Sequence, residues 1–372
     1  MDFRFCKSNR FGFTVSKIIN VTFLGLLLLL SSPSLLKAKE FQRFSALPVL
    51  GYSEETKWQY GAIALLFFKP EAEGLPGSSL DLGAFGTTRK QMQLMASPDL
   101  YLFHGQVHID MELVYWDWVA HYFGIGNHPN FDEYLSYDMT RYQLKIPAET
   151  KLFLPAALFF LKYGIIVHME YCDIDFQFKD NGIEEPSSTG GPRTGLGYSL
   201  SLDTRDHPNL PSHGFYAYWK QVFYNKALGG PSFIFQELDL RGYTYLFWRT
   251  SLALGALYQM SFGDVPFDQL AMTDGTKRFR GVERGVFRDR QSFVWQAELR
   301  RPLFWRLAGT IFYETTKVGP YFGALYREKW HHAFGFGGRL ALNKKERVFA
   351  RCDFSLIDGK HLGMSIYIRE AF

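Results

Sequence analysis

The sequence predicts an all-β protein, a transmembrane antiparallel β-barrel of about sixteen strands. Three observations lead there. Apolar and polar side chains alternate with a period of two from residue 45 onward, an N-terminal segment reads as an export signal, and long connections alternate with short ones. Composition removes the competitors. With 47% hydrophobic, 17% aromatic and 21% charged residues, the 372-residue chain is too rich in apolar side chains for disorder. It lacks the several runs of roughly 20 apolar residues that a polytopic helical membrane protein needs. Three Cys exclude a disulfide scaffold, and the distant pair Cys172 and Cys352 gives no reason to expect a bridge.

The first element is a targeting segment. Arg4, Lys7, Arg10 and Lys17 precede an apolar run through Leu26–Leu30, which Ser31, Ser32 and Pro33 break before the small residue Ala38. A basic stretch, a short apolar core and a small-residue cleavage site describe a secretory signal over residues 1–38. Its uninterrupted core is about half the length needed to span as a helix. Removing it takes the formal net charge from +4 to zero, with 36 basic and 36 acidic residues left. The basicity belongs to the signal, so no nucleic-acid partner is expected. Residues 39–372 read as one domain, without linker, low-complexity tract or internal repeat beyond the strand period.

Strands are expected to start near Ala46, Trp58, Ser79, Lys90, Val107, Glu133, Leu158, Arg193, Gly214, Ser232, Thr250, Gln291, Leu307, Trp330, Arg347 and His361. In the segment from Phe334, Phe336, Leu340 and Leu342 oppose Gly335, Gly337, Arg339 and Ala341. In the next, Val348, Ala350, Cys352, Phe354 and Leu356 oppose Arg351, Asp353 and Ser355. In the last, Met364, Ile366, Ile368 and Phe372, with Glu370 the exception among them, oppose Gly363, Ser365, Tyr367, Arg369 and Ala371. Earlier, Leu238 and Leu240 oppose Glu237, Asp239 and Arg241. One apolar and one polar face suit a soluble sandwich as well as a membrane barrel with lipid outside and a polar lumen. The export signal, the length of the segments and aromatic stretches such as Tyr115-Trp116-Asp117-Trp118 and Tyr243–Trp248, which suit interfacial girdles, favour the barrel. The long gaps, 119–132, 173–192, 262–290 and 318–329, all follow odd strands, as extracellular loops should. Phe153 to Met169 also reads as strand, although Leu-Pro-Ala-Ala-Leu-Phe-Phe-Leu would suit a buried helix. Ala62 to Phe68, apolar on both faces, suggests contact with a loop inside the barrel.

Residues that could suggest chemistry have plain structural readings. Asp203 to Asp206 lies where Pro208, Pro211 and Gly214 make a turn, so a turn is expected rather than a metal site. His331 and His332 are adjacent on a strand and face opposite ways. Gly335 and Gly337 are followed by no helix and would relieve crowding on an inward face. Neither Gly-x-Ser-x-Gly nor His-Glu-x-x-His occurs. No catalytic residue, metal site or cofactor is therefore expected, and the chain is read as a non-enzyme.

Four stretches carry a family likeness: Pro48–Thr56; Phe123-Gly124-Ile125-Gly126-Asn127; Gly195-Leu196-Gly197 leading into Asp203-Thr204-Arg205-Asp206 and closing at Gly214; and Arg278–Gly285, followed by Arg288-Asp289, Glu298 and Arg300. In order and spacing they resemble the BamA/TamA superfamily of outer-membrane barrels, also called bacterial surface antigens. The resemblance implies that the fourth stretch is a loop folded back into the lumen. Arg280 and Gly281 would form its motif, Glu298 would be the acidic partner, and Phe312 and Glu314 would occupy the matching sites on the next strand. Physically, a guanidinium in a confined lumen needs carboxylates within reach. Val282 departs from the family, which usually has an aromatic there. Such barrels resemble one another in ending on an aromatic assembly signal, here Phe372 with Ile366 and Ile368.

The resemblance also implies the function: assisting insertion or translocation of proteins, or lipids, at an outer membrane. Its proposed mechanism is a weakly paired seam between first and last strands, with which Pro48 and Gly51 in the first strand are compatible. Partners would be outer-membrane lipid and either client outer-membrane proteins or a separate periplasmic protein. The first strand is expected to start soon after the export signal, without the periplasmic POTRA modules of better-known members. The alternatives are a passive pore or structural surface protein and, last, a barrel enzyme.

Overall fold

The computed structural model describes residues 41–53, 56–70, 77–151, 160–177, 183, 186, 190–343 and 347–368. The export signal, Arg369 and Phe372 lie outside them. The strands are β1 (Phe41–Ser53), β2 (Lys57–Phe68), β3 (Ser79–Thr87), β4 (Met92–Leu102), β5 (Val107–Asp110 and Glu112–Tyr122), β6 (Leu135–Thr150), β7 (Leu161–Phe176) and β8 (Gly190–Asp203). They continue with β9 (Gly214–Tyr224), β10 (Phe233–Tyr245), β11 (Ser251–Gly263), β12 (Gln291–Pro302), β13 (Leu307–Gly319), β14 (His331–Asn343), β15 (Val348–Ile357) and β16 (His361–Ile368). The two pieces of β5 keep one register on both neighbours, with Asp99 opposite Asp110 and Ala96 opposite Leu113, so Met111 interrupts a single strand. Each expected start falls within five residues of an observed one.

Every strand pairs antiparallel with the next in sequence, giving an up-and-down barrel. The exception is the seam. β1 and β16 run close enough for Cα atoms to come within 8 Å, yet no ladder joins them among the described residues. Part of the Phe153–Met169 segment, residues 153–159, lies outside the described residues; from Leu161 it is strand.

The two faces separate as the alternation requires. Phe334 and Phe336 are exposed on the outside, while Arg339, Arg351, Asp353 and Ser355 are buried on the inside. Ile366 sits opposite Cys352 on the outer face, and Ser365 opposite Asp353 on the inner face. The girdle expectation needs correcting for Trp116, Trp118 and Tyr243. Trp116 lies opposite Arg141, whose guanidinium sits 5.4 Å from its ring centroid, and Trp118 shares that inward face. Tyr243 is buried beneath Arg300. Trp116 and Tyr243 thus serve as counterparts to lumenal guanidiniums rather than as membrane anchors.

The longest connections do follow odd strands, but those after β2, β6 and β8 are also extended rather than tight. A local repeat also emerges. Leu246-Phe247-Trp248-Arg249 and Leu303-Phe304-Trp305-Arg306 form matching turns, with Leu246 N–H donating to Thr250 O at 2.9 Å and Leu303 N–H to Leu307 O at 2.9 Å. Trp248 and Trp305 are 75% and 73% exposed, so the aromatic rim at this end is carried by turn tips.

Candidate functional site

The connection between β11 and β12, residues 264–290, folds into the barrel as a hairpin. Ala271–Met272 pairs with Arg288–Asp289. Thr273 N–H donates to Phe287 O, and Gly285 N–H to Thr273 O. At the tip the Asp274 carboxylate accepts the backbone N–H groups of Thr276, Lys277 and Arg278 at 2.8, 2.7 and 2.9 Å. Phe279, Val286 and Phe287 bury themselves against Leu257, Val294, Val318, Ala333 and Ile357 of five successive strands. Val282 packs at the edge of this cluster.

Charge pins the hairpin at three places. Arg280 is fully buried. Its Nε donates to Glu314 at 2.6 Å, its Nη1 to Glu298 at 2.7 Å and Asp353 at 3.3 Å, and its backbone N–H to Glu314 at 2.6 Å. The guanidinium lies 3.5 Å from the Phe312 ring centroid. Arg339 bonds Asp353 at 2.5 Å, while Arg300 bonds Glu298 at 2.7 Å. Burial alone would lower the Arg280 pKa, but Glu314, Glu298 and Asp353 outweigh it and hold it above the ordinary value. The second anchor is Arg278, which bonds both Asp239 oxygens at 2.7 Å and also Gln296. The third is Asp268, on the opposite wall. It accepts from Arg193 at 2.6 and 2.9 Å and from Arg141 at 2.8 Å, while Arg193 also bonds Glu170 at 2.7 Å. Burial would raise the Asp268 carboxyl, but the two guanidiniums hold it below the usual carboxylate range.

The anchors join β6–β8 on one wall to β10, β12, β13 and β15 on the other. Breaking such a buried pair from one side typically costs about 3–5 kcal/mol, so the loop is a structural strut across the lumen. Glu170, Cys172 and Asp268 place ligand atoms within 4.8 Å of one another. Arg141 and Arg193 already neutralise both carboxylates, so this set is an ion-pair cluster.

Glycines let the strut approach the wall. Gly281 has φ 94°, and a Cβ there would lie 2.9 Å from the Ser355 side chain. A Cβ at Gly335 would lie 2.0 Å from Phe312 Cζ, and at Gly337 2.0 Å from Asp353 Oδ1. The two inward glycines thus vacate the space that Phe312 and Asp353 occupy beside Arg280.

The turn residues form a separate cluster. Arg205 donates to the two Asp203 oxygens at 2.9 and 2.8 Å. Asp206 accepts from Ser212 N–H at 2.6 Å and from Arg347 at 2.8 Å, tying the β8–β9 connection to the β14–β15 one. Burial would raise the Asp206 carboxyl; the Ser212 and His213 N–H groups and Arg347 bring it below the ordinary range. Gly214 has φ 108°, with no room for a Cβ beside Thr204 O. His331 and His332 do point apart, His331 to Asp358 at 2.6 Å and His332 to the Tyr313 hydroxyl at 2.7 Å.

The sequence reading missed Asp239, Asp353 and Arg278 as partners, and the whole Asp268 wall. Asp239 and Asp353 were on the polar face of their strands, which was the available signal. Asp268 had none, since its partners lie 75 and 127 positions away.

The family model of the Omp85 superfamily domain matches residues 79–330. No curated protein matches the sequence. Among solved structures, the chain is similar to BamA from Haemophilus ducreyi lacking POTRA domains 1–3, with TM-score 0.56 and 13% identity over 88% of this chain and 69% of that one. It is also similar to CdiB from Acinetobacter baumannii, with TM-score 0.54 and 11% identity over 88% of this chain and 59% of that one. At these identities the likeness is one of fold.

Proposed function

Because the chain belongs to the Omp85 superfamily, we propose that this outer-membrane barrel assists the insertion or translocation of outer-membrane proteins by loosening the seam between β1 and β16. The observation that carries the reading is the contrast between that seam and the rest of the sheet. Every other neighbouring pair of strands is held by a ladder, whereas among the described residues β1 and β16 run side by side without one. Pro48 lies in β1 and offers no N–H to a partner on either side. The strut, pinned to β12, β13 and β15, keeps the wall beside β16 rigid, so opening concentrates at the seam. Residues 1–38 fit an export signal, and the reading assigns no catalytic step or cofactor. A periplasmic partner could supply client capture.

The test is a liposome assay. Purified barrel is placed in phospholipid vesicles, and an unfolded small outer-membrane protein is added. Faster acquisition of heat-modifiable mobility by the client than in empty vesicles is expected. No acceleration, together with steady ion conductance, would support a passive pore instead.

A further inference from the structure

Between the lumenal hairpin and the wall built by β5 and β6 lies a cavity of about 880 Å³. Its wall carries both signs of charge, and most of the acids are occupied. Asp268 is held by Arg141 and Arg193, Glu283 by His121 at 2.7 Å, and Asp274 by the backbone N–H groups at the hairpin tip. Arg284 is different. It projects exposed into the cavity and meets the Trp116 face, 5.3 Å from the ring centroid. No carboxylate pairs with it among the described residues. Arg141 lies 5.4 Å from the same ring, so two guanidiniums flank one indole while only Arg141 has acidic partners.

We infer that this cavity is an anion site, in which Arg284 and the edge of Trp116 receive a phosphate group. A guanidinium offers a phosphate two parallel N–H donors, and in a confined, low-dielectric space an unneutralised cation favours an anionic ligand more than it would in water. Although the Arg284 side chain is open to the cavity, its enclosure within the lumen and then the neighbouring Arg141 lower its pKa, against the opposing pull of Asp274 and Glu170. The apolar side chains Phe131 and Met139 also line the cavity, and it reaches Met364 and Ile366 on β16 at the seam. That continuity with the lipid face suits a phosphate carried on an amphiphile; free phosphate has the same headgroup chemistry. The inference goes beyond the insertion reading and does not depend on it.

The test uses the purified full chain in a nonionic detergent, with binding followed by titration calorimetry. The probes are inorganic phosphate, dihexanoyl phosphatidic acid below its micelle concentration, and dihexanoylglycerol as the uncharged control. Wild type should bind the phosphatidic acid and not the glycerol. Arg284→Gln should weaken binding by about tenfold or more, the loss of a charge-assisted bond, and Arg284→Lys should retain part of it. Unchanged heat-modifiable mobility reports that each variant is folded. Equal binding of inorganic phosphate would identify the free anion as the ligand, and binding of phosphatidic acid alone would identify a lipid headgroup. Either result supports the site if it depends on Arg284. Wild type binding neither probe, or Arg284→Gln and Arg284→Lys both binding like wild type, would overturn it.

Discussion

Gly281 at the tip of the lumenal hairpin and Gly363 in β16 meet backbone to backbone: a Cβ on Gly363 would lie 2.1 Å from the Gly281 carbonyl oxygen. The residue beside the buried Arg280 therefore touches the closing strand directly, linking the strut to the seam. Replacing Gly363 with Ala should push the hairpin tip off β16 and cost about 1–3 kcal/mol, as overpacking does. The check is denaturant unfolding in a bilayer alongside loop proteolysis, both of which should shift toward instability.

Arg280→Ala should have the larger effect. It leaves Glu298, Glu314 and Asp353 buried with one cation fewer, a loss of about 3–5 kcal/mol by analogy with other broken buried pairs. The loop should become protease-sensitive and the heat-modifiable transition should move to lower temperature. Arg280→Lys should recover only part, because a point charge cannot reach Glu298 and Glu314 with the same fork. Wild-type behaviour of Arg280→Ala in both assays would mean that the loop is held by its apolar residues alone.

Gly335→Ala tests the same pocket from the wall. The new methyl would collide with Phe312, the ring beneath Arg280. A cost of about 1–3 kcal/mol is expected, and Phe312→Leu in the same chain should relieve part of it, the rest being the clash with the Phe354 carbonyl oxygen 2.4 Å from the new Cβ. An additive double variant would show that the two residues do not share space.

Asp268 gives a pH dependence with a defined sign. Its folded-state pKa is lowered, so the stability it contributes is present above the unfolded value of about 4 and lost as pH falls through the lower folded value. Pepsin cleavage within 264–290 should rise as the pH is taken below about 4. Measured against an unfolded substrate cleaved at the same pH, Asp268→Asn should remove that step, and its cleavage by trypsin at neutral pH should be higher than that of wild type.

The two faces of β16 can be told apart by Ile366 and Tyr367. Ile366 points outward, whereas Tyr367 lies inside against Arg351, 5.2 Å from its ring centroid. Ile366→Arg places a charge toward hydrocarbon and should cost on the order of 2–4 kcal/mol near mid-membrane. Tyr367→Leu should be mild. Normal assembly of the first with failure of the second would reverse the assignment.

Most of the barrel could be read from the sequence because a period-two pattern is a local property. Phe334 and Phe336 against Gly335 and Gly337 say which way each side chain points without any knowledge of neighbours. The Arg280 partners Glu298, Phe312 and Glu314 were within reach only through the family resemblance of the Arg278–Gly285 stretch, since alternation says which face each occupies but not which loop residue meets it. Arg193 and Arg141 meeting Asp268 was not legible, because it depends on a loop crossing the lumen to a wall far away in sequence. Trp116 shows the opposite failure. An aromatic run reads alike whether its rings face lipid interface or guanidinium, and only the curled sheet decides.

The central claim is that one seam is weak in an otherwise continuous sheet, and amide hydrogen exchange measured by mass spectrometry on the barrel in vesicles tests it most directly. Peptides from β1 and β16 should exchange well before those from β6 and β7, which are laddered on both sides. Protection of β1 and β16 equal to that of β6 and β7 would contradict the account.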